Sequence, residues 1–79
     1  MTLQEIYRKR GEYCRKHVNT NGLRLLVHPE TWDDFLRQMI TQGLYYEVTR
    51  GKDGLAPTVM GMPVIETTQV DTWQVVEDV

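Results

Sequence analysis

Hydrophobic positions recur at helical spacing in two stretches of this chain and follow strand-like patterns in four others. Near the N-terminus Leu3, Ile6, Tyr7, Tyr13, Cys14 and Val18 fall on one stripe with a 3.6-residue period, which predicts an amphipathic helix. Thr2 and Glu5 form a Thr-x-x-Glu capping box, so the helix starts at Leu3. It fades near His17, because Asn19, Thr20, Asn21 and Gly22 are turn chemistry. Arg10 falls inside the apolar stripe, where a long side chain can lay its stem on the core and send its head outward. Gly11 weakens the helix by about 1 kcal/mol relative to alanine. The other face offers Glu5 with Lys9 and Glu12 with Lys16, both in the favourable i,i+4 order.

A short strand is expected at Leu23–Val27, with Leu23, Leu25 and Val27 on one face. The second helix begins at His28-Pro29, since a first-turn proline loses no helical hydrogen bond. Glu30, Asp33 and Asp34 complement the positive end of its dipole. Trp32, Phe35, Leu36, Met39 and Ile40 form its apolar stripe, and Gly43 is its stop. Residues 44–49, rich in aromatic and β-branched side chains, read as a strand, followed by a mobile loop at 50–54. Residues 57–66 read as one strand with an irregular position. Gly61 marks a bulge there, and Pro63 confines the strand to an edge or a strand start. Residues 67–71 connect to a last strand from Trp73 to Glu77. The expected fold is α+β: two amphipathic helices on one face of a small, mainly antiparallel sheet of about four strands, in the order α-β-α-β-β-β.

Composition narrows the classes. Seventy-nine residues make one domain, here 1–79, and 41% apolar residues supply a single core. No apolar run is long enough for a membrane span, and Met1 leads straight into a polar segment rather than a secretory signal. Cys14 is the lone cysteine, which excludes an intrachain disulfide and a thiolate-rich metal site and fits a reducing, cytoplasmic setting.

Charge is distributed unevenly. Residues 1–28 hold six Lys/Arg against two Glu, a net +4, and residues 29–79 hold three against nine Asp/Glu, a net −6. Such asymmetry points either to a nucleic-acid contact or to faces that attract each other between copies. The basic cluster Arg8, Lys9, Arg15 and Lys16 on the first helix is the candidate contact for nucleic acid or a partner. Against nucleic acid stand the acidic whole and the glutamate neighbours of Lys9 and Lys16.

Other chemistry is thin. His17 and His28 sit at a helix end and a helix start, better read as a solvated and an N-cap-like histidine than as metal ligands. Cys14 lies on the apolar stripe, the place of a small buried hydrophobe rather than a nucleophile. Asp33 and Asp34 are dipole partners before they are an acid–base pair. Residues 51–54, Gly-Lys-Asp-Gly, lack the strand–loop–helix setting of a phosphate loop. The expectation is therefore a non-enzyme with no catalytic residue, no metal and no cofactor.

From Leu23 onward, over about two-thirds of the chain, a succession of short motifs resembles part of the tailed-bacteriophage major capsid protein fold. A strand leads into His28-Pro29, where that family has Asn-Pro. A helix opening Thr31-Trp32 follows, then a glycine and aromatic segment, Gly43-Leu44-Tyr45-Tyr46. Gly61-Met62-Pro63-Val64 matches a Gly-x-Pro-Val strand, and a final strand closes the series. The long arm and loop with which capsid subunits grip their neighbours are missing. The resemblance implies a small phage- or prophage-encoded structural or interaction protein, in the host cytoplasm or on the virion, with phage head proteins or its own copies as partners. The alternative is a small nucleic-acid-binding module using the basic first helix.

Overall fold

The computed structural model describes residues 1–16, 22–50 and 57–77. Its elements are α1 (Leu3–Lys16), β1 (Leu23–Val27), α2 (Pro29–Thr41), a 3-10 turn (Tyr45–Glu47), β2 (Val48–Arg50), β3 (Pro57–Val59), β4 (Met62–Glu66) and β5 (Trp73–Glu77). The fold is α+β, with two helices and a five-stranded mixed sheet in the order β2-β3-β4-β1-β5. The expectation of about four strands, mainly antiparallel, needs two corrections.

The first concerns residues 57–66. They form two strands, not one kinked strand. Val59 pairs with Met62, leaving Met60 and Gly61 as a two-residue loop with φ of 53° and 79°. Positive φ at both loop positions is what a type I′ hairpin turn requires, and its twist matches that of the strands. Gly61 thus serves a turn rather than a bulge. Pro63 then lies near the start of β4, opposite Thr58.

The second concerns the sheet's centre. β1 and β4 pair in parallel, Leu25 with Val64 and Leu26 with Ile65. The chain between them runs through α2, β2 and β3, long enough to carry it back to the same end before β4 begins. The other three pairings, β2–β3, β3–β4 and β1–β5, are antiparallel.

The helix ends follow local chemistry. The Glu5 N–H donates to Thr2 Oγ1 at 3.2 Å, which caps α1 at the expected place. His28 caps α2: its Nδ1 accepts from the Glu30 N–H at 3.2 Å, and Pro29 follows. Gly43, with φ of 71°, ends α2 in a Schellman motif. The Gly43 N–H donates to the Ile40 carbonyl and the Leu44 N–H to the Met39 carbonyl. Leu44 and Met39 both pack in the core, the apolar contact that accompanies this motif.

Residues 44–49 are not a continuous strand. The Glu47 N–H donates to the Leu44 carbonyl, and Tyr45–Glu47 form a 3-10 turn. Tyr45 and Tyr46 are both exposed, so their aromatic character does not mark a core face. Only Val48 onward joins the sheet.

One core holds the molecule together. Ile6 from α1 and Trp32, Phe35 and Met39 from α2 are buried with Leu23, Leu25, Val27, Val59, Met62, Val64 and Val75 from the strands. Both helices therefore lie on the sheet face that these strand residues occupy. The α1 stripe is narrower than its spacing implies. Ile6 is buried and Leu3 and Tyr13 pack partly, but Tyr7 and Cys14 are exposed. Arg10 takes a position one turn after Ile6; it is partly buried, and its Nε is enclosed without a hydrogen-bond partner. Ile40, expected in the α2 stripe, is exposed too. His17, Val18, turn residues 19–21 and loop residues 51–54 lie outside the described residues.

Candidate functional site

Arg8 and Arg15, seven residues apart, share a helix face. They line an open groove with Tyr7, Gly11, Glu12 and Met60 of the β3–β4 turn. Lys9 does not line the groove but pairs with its carboxylate, the Lys9 Nζ lying 3.5 Å from Glu12. The expected partner of Lys9 was Glu5, whose carboxylate lies 3.9 Å from the Met1 amino group instead. Lys16 closes α1, and its side chain lies outside the described atoms, as does its pairing with Glu12. The groove thus offers two guanidinium groups and one exposed phenol ring, with a carboxylate among them.

Chemistry-bearing side chains are dispersed. The Nδ1 lone pair of His28 is taken up by the α2 cap. Asp33 and Asp34 are exposed on the second turn of α2, and of the three acidic residues expected to complement its dipole only Glu30 lies in the first turn. Cys14 is exposed on α1, not buried as its place in the stripe predicts. Among the described residues no group of three or more His, Cys, Asp and Glu is placed to hold a metal ion. Among them, too, no helix is long and apolar enough to cross a membrane.

The back of the sheet is the larger feature. Register puts Leu26 beside Ile65 on the face away from both helices, and Val76 opposite Arg24 on that same face. Leu26, Ile65 and Val76 are absent from the core, and Ile65 is 36% exposed. Pro63 and Thr58 continue this face across β4 and β3, and Thr58 and Thr49 hydroxyls hydrogen-bond at 2.6 Å between β3 and β2. Three adjacent strands, β4, β1 and β5, therefore show apolar side chains on both faces.

Sequence reasoning passed over this face, although a signal for it exists. Leu25-Leu26, Val64-Ile65 and Val75-Val76 are apolar doublets, and in a strand consecutive side chains point to opposite faces. A doublet in each of three neighbouring strands places an apolar patch on the second face. No family model matches the chain, and neither does any curated protein or solved structure.

Proposed function

We propose that the chain is a non-enzymatic structural or protein-interaction protein, encoded by a phage or prophage, that works through its sheet. The observation that carries this reading is a sheet with an apolar back face and a full-length strand, β5, at its rim. Central strands that are apolar on both faces call for cover on both. The helices cover one face among the described residues, which leaves the other for a protein surface. The phage context rests on the motif order of the resemblance. Its pieces sit at structural junctions here: His28-Pro29 at the α2 cap, Gly43 at the α2 stop and Gly61 in the turn before β4. Phage head proteins and further copies of the chain are the partners it implies.

A second reading has its own observation. Arg8 and Arg15 share a groove with the exposed ring of Tyr7, and cations beside an aromatic face suit a single-stranded nucleic acid. Glu12 in the same groove and the net charge of −2 oppose it. Retention on a DNA column against salt separates the two. The expected result is elution at low salt without retention. Tight retention that weakens steeply with salt is the mark of phosphate contacts, and it transfers the function to α1.

A further inference from the structure

The rim strand β5 carries few of the devices that blunt a sheet edge, with Glu77 at its end its one charged residue. It is five residues long, Trp-Gln-Val-Val-Glu, with no proline, glycine, lysine or bulge against β1. The opposite rim, β2, is only three residues long. The hydrogen-bond phase of β5 is fixed by its neighbours. The His28 N–H donates to the Thr72 carbonyl at 2.8 Å, at the head of the β1–β5 register. Alternate residues of an antiparallel strand turn their N–H and C=O to the same side. Gln74 and Val76 therefore bond toward β1, and the backbone groups of Trp73 and Val75 point outward. The other side of β1 agrees: the carbonyl of Val27 accepts from the Thr67 N–H at 2.9 Å, just past β4.

We propose that β5 pairs antiparallel with β5 of a second copy, about a two-fold axis at Val75, so that two five-stranded sheets become one. The proposal rests on the interaction reading above and names its partner. The strand is self-complementary in this phase. Val75 is both the middle residue and an outward-pointing one, so the strand meets its own two-fold image in full overlap. A two-fold centred on Gln74 or Val76 keeps the hydrogen-bond phase, through Trp73 with Val75 or Val75 with Glu77, but overlaps only three of the five residues. In the Val75 register, Val75 faces its counterpart, a favourable β-branched pair. Gln74 faces Val76, and Trp73 faces Glu77. Glu77 is the strand's one charged residue, so no like charges meet across the axis. Val75 belongs to the core face, so the helices of both copies stand on the same side of the joined sheet.

The register makes a covalent test possible. Across the axis Gln74 and Val76 form a non-hydrogen-bonded pair, with Cα atoms about 4.5 Å apart. That lies within the span of a disulfide. Gln74 to Gln74 and Val76 to Val76 are diagonal neighbours about 7–8 Å apart, too far to bridge. Gln74→Cys and Val76→Cys are made separately in a Cys14→Ser background, because Cys14 is exposed. Each is oxidised mildly, alone and in an equal mixture, and run on a non-reducing gel. The proposal expects a cross-linked dimer from the mixture and little from either variant alone. Equal cross-linking by one variant alone overturns the register. No cross-link from a mixture whose mass still rises with concentration overturns pairing through β5 but leaves the interaction reading standing. Retention on the DNA column overturns that reading itself.

Discussion

Trp32→Ala is expected to leave the chain largely unfolded at room temperature. Trp32 is 5% exposed in the first half of α2, its ring stacked on Phe35 with centroids 5.6 Å apart. Both rings belong to the core that α2 shares with the strands. Truncating a buried large aromatic costs about 3–5 kcal/mol, from lost burial and from the cavity left behind. A domain of this length has roughly 4–12 kcal/mol of stability in all. The loss of stacking with Phe35 adds to the cost. Circular dichroism and a thermal melt check the outcome. A cooperative melt near that of the wild type would remove Trp32 from the core.

Ile6→Ala comes next in expected effect. Ile6 is fully buried, and among the described side chains of α1 it is the one in the buried core. Leu3 and Tyr13 only flank it. Its truncation costs about 2–5 kcal/mol, enough to loosen α1 from the sheet. Tyr7→Ala, one residue on, is the contrast. Tyr7 is 70% exposed, and surface substitutions of this kind usually stay within about 0.5 kcal/mol. Denaturant titrations of the two variants distinguish the helix face seen in the structure from the wider stripe expected from spacing. Equal losses would return Tyr7 to the core.

What the sequence disclosed was local. The Thr2 cap, the His28-Pro29 start, the Gly43 stop and the limits of β1 and β5 are each encoded within a few residues, and each lies where its chemistry predicts. What escaped depends on distant partners. Tyr7, Cys14 and Ile40 carry the right period, but the core they would meet is not wide enough to reach them. Tyr45 and Tyr46 have strand propensity, yet the chain leaving the α2 cap turns once more before it meets β3. Gly61 permits either a bulge or a turn, and pairing of Val59 with Met62 decides for the turn. The parallel β1–β4 pairing has no local signature at all. For the candidate site, the basic residues were legible as types, but not the pairing of Lys9 with Glu12 or the groove that Arg8 and Arg15 share with that carboxylate. The apolar doublets of β1, β4 and β5 were present to be read. They gain meaning only once the three strands are known to be neighbours.

The claim that this chain joins protein to protein through its sheet is tested most directly by its mass in solution. Light scattering is followed across a concentration series at low and high salt, with a DNA fragment measured in parallel. The account predicts a rise from the 9.3 kDa of one chain to twice that value. Salt weakens the association modestly, because exposed charges are screened beyond about 8 Å at physiological ionic strength while backbone pairing is not. A mass of one chain at every concentration, together with DNA binding that falls steeply with salt, would contradict the account and make α1 the functional surface.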